Sequence, residues 1–357
     1  MDSRVCPLTP LGRFGAASLR GTGLFFCLVF GLGALPAGTG DDSHEVVRGI
    51  TISCQSYGPE WGSPGFATEL DELRTLGANW VAIHPYARIR GDGSVVDRGG
   101  DGALPEWLSS PVRTARERGL KILIKPHLSY WGSKFSWRGE IGFPDPVERA
   151  RFFETYSKWI VGLARRIGPV DAFAVGTELD LMLEFEEPWR ELIADVREVS
   201  DAKLVYAANW PDYERVPFWD ALDAIGVQAY FPLVDEGQHT VDEAQLLAGW
   251  ARVLPGLRKL HERIGKPVIF TELGYNLSLD AASRPWDYPR AAAEDVDAAR
   301  ALQTRCLKVA LQVLERERDW LRGAFLWKWF VGAAPRANFL LDTPEVRAVL
   351  ASEWADD

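Results

Sequence analysis

Eight apolar, strand-like segments recur along the chain, and amphipathic segments separate many of them. The strand-like segments span residues 47–58, 78–89, 120–131, 170–180, 202–210, 224–234, 266–277 and 321–330. Segments with helical periodicity lie between them at 66–77, 146–168, 250–265 and 298–320. Near-continuous apolar strands that alternate with amphipathic helices are typical of a parallel sheet covered by helices. Eight such strands predict an α/β fold, a single (β/α)8 TIM barrel.

The domain organisation follows from length and composition. A chain of 357 residues could hold two domains, but α/β barrels often reach this length as one domain. No shift in composition and no Pro- or Ser-rich linker divides residues 41–357, so we predict one barrel domain there. A doubly wound open sheet is the alternative fold, and the absence of a GxGxxG motif after the first strand disfavours it.

Residues 1–40 have the pattern of a targeting segment. Arg4, Arg13 and Arg20 precede the apolar stretch 23–35, and small residues follow it. This order is typical of a secretory signal peptide, and the apolar stretch is shorter than the ~20 residues that a membrane span needs. We therefore expect the mature chain to be exported, either secreted or periplasmic, without a membrane span. An uncleaved anchor is the alternative.

The net charge of the mature chain argues against one class of partner. Residues 1–40 hold three Arg and one Asp, so 37 basic and 49 acidic residues remain, a net charge of −12. Nucleic-acid binding draws on clustered Lys and Arg, so we expect no nucleic-acid partner.

Cys54 falls on the first predicted strand and Cys306 inside a late helix, which predicts two free thiols. No CxxC spacing indicates a metal site.

Polar and aromatic residues are concentrated at the carboxyl ends of the predicted strands, whereas the strand starts are plain Val, Ile, Leu and Ala. In (β/α)8 barrels the active site lies at this end. Amides, carboxylates and flat rings together suit a neutral polyhydroxylated ligand. The candidate substrate-binding residues are Tyr57, His84, Tyr86, Lys125, His127, Trp131, Asn209, Trp210, Tyr230, Tyr275 and Trp327.

Two glutamates occupy equivalent places at the ends of the fourth and seventh strands. Glu178 stands in VGTELD and Glu272 in IFTELGY, each after a Thr and before a Leu. A carboxylate at the end of a buried strand is costly unless it is paired or used. Strands four and seven face each other across the barrel mouth, so the two carboxylates can converge. Two carboxylates that flank one bond are what glycoside hydrolysis requires, and we predict both residues to be catalytic.

Four short motifs, in order on strands four, six, seven and eight, resemble one enzyme family. They are GTELD (176–180), VQAYFPL (227–233), TELGY (271–275) and LWKW (326–329). Their sequences are similar to those of glycoside hydrolase family 113, the mannanase-like barrels among the clan A glycoside hydrolases. The resemblance implies a retaining enzyme that acts on β-1,4-linked mannan or glucomannan without a cofactor or metal. It further implies that Glu178 is the acid/base, Glu272 the nucleophile, Tyr230 a support for the nucleophile and Trp327 the floor of the subsite for the cleaved sugar.

One residue departs from the wider clan pattern. Most clan A members have an Asn immediately before the acid/base that binds the sugar 2-hydroxyl, and this chain has Thr177. Asn209, at the end of the next strand, could place an amide in the same region.

Three alternatives remain at this stage. His84 and His127 could join a carboxylate in a metal site, although no HxH or HExxH spacing supports it. Lys125 could form a Schiff base, although a charge-balancing role is expected beside two glutamates. The aromatic loop 129–143 could form a substrate wall or a self-packed cover. A metal-dependent barrel hydrolase and a non-catalytic sugar-binding barrel are thus the competing functions.

Overall fold

The computed structural model describes residues 45–97, 102–289, 291–334 and 338–355, so the predicted signal peptide lies outside the described residues. Eleven strands are numbered in chain order. They are β1 (Val47–Ser53), β2 (Trp80–Ile83), β3 (Tyr86–Ile89), β4 (Val95–Asp97), β5 (Lys121–Ile124), β6 (His127–Ser129), β7 (Ala172–Thr177), β8 (Lys203–Asn209), β9 (Ala224–Gln228), β10 (Val268–Leu273) and β11 (Leu321–Phe330). Eight of them close into a parallel barrel in the order β1-β2-β5-β7-β8-β9-β10-β11, with β11 paired to β1. Each predicted strand segment contains one barrel strand, so the predicted TIM barrel is confirmed.

Seven α-helices cover the barrel in the described residues. They are α1 (Pro64–Thr75), α2 (Glu106–Glu117), α3 (Pro146–Arg166), α4 (Glu186–Arg197), α5 (Glu243–Ile264), α6 (Val296–Arg316) and α7 (Pro344–Glu353). The sequence at the start of α5 shows why a helix begins there: Asp242 and Gln245 form a reciprocal capping box. Gly265, with φ of 72°, ends the same helix in the left-handed conformation. Between β8 and β9 two 3₁₀ turns, Tyr213–Arg215 and Trp219–Ala221, stand where a barrel usually has a helix.

The apolar core has two layers because side chains alternate along each strand. Val81 and Ile83 of β2 face the helices and belong to the larger buried cluster. Trp80 and Ala82 of the same strand belong to a separate buried cluster that fills the barrel interior. Towards the carboxyl ends of the strands the buried residues become polar, and these are His84, Lys125, His127, Thr177, Asp180, Asn209, Gln228, Thr271 and Glu272. The site therefore lies at the end that the sequence predicts.

A small sheet extends the barrel beyond β2 and β5. Its strand β3 pairs with β4 in antiparallel and with β6 in parallel orientation. The sequence segments 78–89 and 120–131 were expected to form one strand each, but each is divided at a proline, Pro85 or Pro126. Proline has no N–H for the barrel ladder, so the chain leaves the barrel there and pairs again beyond it. His127 N–H donates to the Pro85 carbonyl at 2.8 Å at this junction.

The described residues belong to one compact unit. None of their helices has both the length and the apolar character that crossing a membrane requires.

Candidate active site

Glu178 is the first residue after β7, and its backbone is unusual. Its φ is 55°, in the left-handed region that residues other than glycine rarely adopt. Its N–H donates to the Ala207 carbonyl at 2.9 Å, so the neighbouring strand β8 holds this conformation. The β7–β8 register also shifts between Ala174 and Gly176. Backbone strain of this kind clusters at functional sites, and here it falls on the predicted acid/base.

The carboxylate of Glu178 has two partners from different parts of the fold. Arg138 donates to Oε2 from Nη2 at 2.5 Å and from Nε at 2.8 Å. Gln228, the last residue of β9, donates from Nε2 to Oε1 at 3.3 Å. The Thr271 hydroxyl donates to Gln228 Oε1 at 3.0 Å, which orients the amide so that its NH₂ faces Glu178. The aromatic loop 129–143, whose role the sequence left open, therefore contributes Arg138 to the site.

Glu272 lies within β10 and is 3% exposed. Lys125 Nζ donates to Glu272 Oε1 at 2.5 Å and to the Thr271 carbonyl at 3.0 Å. The Tyr230 hydroxyl donates to Glu272 Oε2 at 2.6 Å, the contact that the family resemblance implies. His127 Nε2 lies 3.8 Å from Oε1. Both oxygens thus have a close donor, which offsets the cost of burying the carboxylate.

The titratable groups around Glu272 respond to burial and to one another. Burial lowers the pKa of Lys125, and the contact with Glu272 opposes that shift. Burial and then the positive charges of Arg138, Lys125 and Lys328 lower the pKa of His127 well below its ordinary value. The pKa of His84 is lowered well below its ordinary value by burial and the same cations. Both imidazoles are therefore neutral at neutral pH and suit hydrogen bonding to hydroxyl groups.

The side chains of Thr177 and Asn209, near Glu178, are both bound to other residues. The Thr177 hydroxyl donates to the Pro126 carbonyl at 3.1 Å and is buried. Asn209 Nδ2 donates to Asp180 Oδ2 at 2.7 Å, and burial raises the pKa of Asp180 to about 7. The amide in contact with Glu178 is that of Gln228. Sequence reasoning missed Gln228, although its place at the end of the sixth barrel strand, inside VQAYFPL, could have indicated it.

A series of rings leads outwards from Glu272. Trp327 packs against Tyr230 and is 6% exposed. Ring centroids are 6.1 Å apart for Trp327 and His127, 5.9 Å for His127 and Tyr86, and 5.7 Å for Tyr86 and Trp131. Trp131 is 58% exposed at the outer end of this series. The structure thus brings four predicted residues into one series of neighbouring rings, and the ring centroid of His84, also a predicted residue, lies 5.2 Å from that of Tyr86.

Further rings, three of them exposed, lie outside this series. Tyr57 is exposed beside Trp107, with ring centroids 6.3 Å apart. Trp210 stacks on Trp286 with centroids 5.6 Å apart. Tyr288 is exposed, and burial of its hydroxyl end together with the charge of Glu272 raises the pKa of Tyr288 to about 12. Sequence reasoning missed Trp286 and Tyr288. Their place in the loop that follows the seventh barrel strand could have indicated them.

Tyr275 is the predicted site residue that the structure does not bring to the mouth. It is 3% exposed, and its burial, with Cys306 nearby, raises its pKa well above the ordinary value. Trp250 of α5 contacts the Tyr275 hydroxyl, and Gln303 of α6 donates to its carbonyl at 2.7 Å. Side chains alternate along a strand, so Tyr275 continues the helix-facing side of Leu273 rather than the side of Glu272.

The cysteines and the metal alternative can also be placed. Cys54 and Cys306 are both free thiols, as predicted, and Cys306 is fully buried. His84 Nε2 lies 3.1 Å from the Ser53 hydroxyl rather than beside a carboxylate. Within the described ranges, no group of three or more His, Cys, Asp or Glu residues is arranged to hold a metal ion.

Comparison with known proteins places this geometry in a family. No curated protein sequence matches the chain. A family 113 β-mannanase from Alicyclobacillus acidocaldarius, solved in complex with ManMIm, is 25% identical with a TM-score of 0.73, over 87% of this chain and 97% of that one. A family 113 β-1,4-mannanase complex, at 22% identity and a TM-score of 0.74, covers 87% of this chain and 99% of that one and shares the fold. A β-glucuronidase from Ruminococcus gnavus, at 11% identity and a TM-score of 0.56, shares the fold over 87% of this chain and 50% of its own. The family model of Glycoside Hydrolase Family 113 matches residues 50–339, and the chain therefore belongs to this family of glycoside hydrolases.

Proposed function

We propose that this protein hydrolyses β-1,4-linked mannan or glucomannan chains by a double displacement, with Glu272 as nucleophile and Glu178 as acid/base. The observation that carries the proposal is the pair of strand-end glutamates, each held by donors at the mouth of a family 113 barrel. The solved relatives that match over almost their full length are described as β-mannanases, which supports mannan as the substrate.

In the first step the glycosidic bond breaks. Glu178 gives a proton to the leaving oxygen while an oxygen of Glu272 attacks the anomeric carbon, and a glycosyl-enzyme forms. Lys125 and Tyr230 donate to the two oxygens of Glu272 and fix their direction, so the nucleophile needs little reorganisation. This step needs the protonated form of Glu178. We therefore expect the Arg138 contact to loosen when a sugar chain is bound.

In the second step water releases the sugar. Glu178, now a carboxylate, takes a proton from the water that attacks the anomeric carbon, and Glu272 departs. Arg138 makes a charge-assisted contact with the carboxylate of Glu178 that acts as the base here. Two inversions at the anomeric carbon leave the product in the β configuration of the substrate.

A substrate screen tests the proposed function. Purified protein is incubated with oligosaccharides from mannan, glucomannan, xylan and cellulose, with and without a chelator. We expect cleavage of the first two in both conditions. Activity on xylan or cellulose alone would contradict the substrate class, and activity that a chelator abolishes would favour a metal-dependent hydrolase.

Export remains a prediction from residues 1–40, and detection of the processed chain outside the cytoplasm tests it.

A further inference from the structure

The outward face of the small sheet forms a cleft, here called the outer cleft. Tyr86 and Arg88 of β3 lie on this face, and Arg90 follows in the same alternation. Ala87 and Ile89 between them are buried on the opposite face. The outer cleft has a volume of about 440 Å³ and is lined by Ser56, Tyr57, Tyr86, Ala87, Arg88, Arg90, Val96, Asp97, Ser129 and Trp131.

The outer cleft adjoins the catalytic residues through a series of contacts between side-chain rings. His127 lies 3.8 Å from Glu272 and contacts Tyr86, which in turn contacts Trp131. His127 and Tyr86 are opposite residues of the β3–β6 pair, so the sheet itself connects the two places. A sugar chain bound across Glu272 can therefore extend over Tyr86 and Trp131, whose flat rings suit the apolar faces of pyranose rings.

The charge of the outer cleft differs from that of the rest of the chain. The whole chain has a net charge of −10. Arg88 and Arg90 line the cleft with exposed side chains, and in the described part of the chain no ion pair joins either to a carboxylate. The acidic residue of the lining, Asp97, is already paired with Arg166 at 3.4 Å. The cleft is thus a cationic surface on an anionic protein.

We propose that the outer cleft is a subsite for an acidic sugar. Arg88 and Arg90 bind the carboxylate of a uronic acid residue, and Trp131 stacks on its ring. A guanidinium group matches a carboxylate with two parallel N–H donors, and it keeps its charge at all physiological pH values. The inference rests on the proposed mannan hydrolysis and adds to it a preference for mannan-type chains that carry uronic acid residues.

Binding of matched oligosaccharides tests this subsite. The probes are β-1,4-mannohexaose and two hexasaccharides of the same linkage with a uronic acid residue at the reducing or at the non-reducing end. Their Kd values are measured by calorimetry on the full chain with Glu272→Gln, which prevents turnover. We expect one acidic probe to bind about tenfold more tightly than the neutral one at low salt, and this preference to decline as salt screens the exposed charges.

Variants assign the preference to the cleft. In the double variant Arg88→Gln/Arg90→Gln the ratio of acidic to neutral affinity should fall to about one. Lys259→Gln/Arg263→Gln, which also removes two positive charges but from exposed positions of α5, should keep the wild-type ratio. Trp131→Ala should weaken the neutral and the preferred acidic probe by similar factors.

The outcomes separate this inference from the proposed function. Equal Kd values for all three probes, or a preference that survives in the double variant, would overturn the subsite. Hydrolysis of neutral mannohexaose by the wild-type chain is measured separately, and its absence would contradict the proposed function whatever the binding ratios are.

Discussion

The two glutamates of the site have contrasting surroundings. The partners of Glu272 come from the ends of barrel strands and from the adjoining sheet: Lys125 follows β5, Tyr230 follows β9, and His127 begins β6. The charged partner of Glu178 is Arg138, from the loop after β6. The Glu178 side chain is 12% exposed and that of Glu272 is 4% exposed.

This difference matches the tasks of a nucleophile and of an acid/base. A nucleophile must keep one charge and one direction, which donors on rigid strands provide. An acid/base exchanges a proton with the leaving group and then with water, so it needs a more open position and an adjustable partner. The strand-borne surroundings of Glu272 should therefore tolerate change less well than the loop-borne contact of Glu178.

Removal of either carboxylate should have the largest effect. On mannan, Glu272→Gln should lower kcat by about five orders of magnitude and Glu178→Gln by about three to four, because the proposed mechanism uses both in the transition state. With an aryl mannoside whose leaving group departs without a proton, Glu178→Gln should lose much less activity in the first step. Burst kinetics measure this step. Equal losses for both variants on both substrates would remove the distinction between the two roles.

Loss of the cationic partner should separate the two surroundings more sharply. Lys125→Met leaves a buried carboxylate without its charge partner, so we expect kcat to fall about a hundredfold or more and unfolding to become easier by about 3 kcal/mol. Arg138→Met affects a loop residue and should lower kcat only about tenfold, with little change in Tm. Lys259→Met, at an exposed position of α5, is the control. A larger loss of kcat in Arg138→Met than in Lys125→Met would contradict the expectation that the surroundings of Glu272 tolerate change less well than those of Glu178.

The hydroxyl of Tyr230 should contribute to kcat rather than to KM. Tyr230→Phe removes one hydrogen bond to the charged Glu272, a contact worth about 1.5–3 kcal/mol. We expect kcat to fall about tenfold to a hundredfold, with KM nearly unchanged, because the bond directs the nucleophile rather than the substrate. Steady-state kinetics on mannohexaose check this. A rise in KM at constant kcat would indicate a substrate-binding role instead.

The smallest expected effect concerns Asp180, beside Glu178. Burial raises the pKa of Asp180 to about 7, so the folded state keeps this carboxyl neutral while the unfolded chain ionises it above about pH 4. The contribution of Asp180 to the free energy of unfolding therefore falls as pH rises from about 4 to about 7, and it stays constant above that. Asp180→Asn removes this dependence, so its free energy of unfolding should rise relative to that of the wild type over that window by on the order of 2 kcal/mol, with a corresponding rise in Tm. Asp201→Asn, at an exposed position, gives the baseline, and a constant difference in Tm would contradict the assignment.

The barrel and the two glutamates could be predicted from the sequence because they rest on local patterns. Apolar periodicity indicates strands and helices, and the carboxyl ends of strands locate the site without knowledge of side-chain contacts. Glu178, Glu272 and Tyr230 all stand at such ends. The missing helix between β8 and β9 and the division of two segments at Pro85 and Pro126 depend on how the chain packs, which periodicity does not record.

Some residues at the mouth were missed and one was wrongly placed there, for two different physical reasons. Arg138, Trp286 and Tyr288 lie on loops, whose path over the barrel mouth is set by tertiary packing. Tyr275 was predicted as a site residue from its position alone, but the alternation of side chains turns it towards α5 and α6. Strand ends thus indicate where a site lies, while the facing of each side chain requires the structure.

The stereochemistry of azide rescue tests the two glutamate roles most directly. In Glu178→Ala the nucleophile remains, so an activated aryl mannoside should form the glycosyl-enzyme, and azide should release a β-configured mannosyl azide. In Glu272→Ala no glycosyl-enzyme forms, and azide in the space left by the carboxylate should give the α-configured product. Nuclear magnetic resonance of the two products distinguishes the anomers. The same anomer from both variants, or near-normal hydrolysis by both without azide, would contradict the assignment of nucleophile and acid/base.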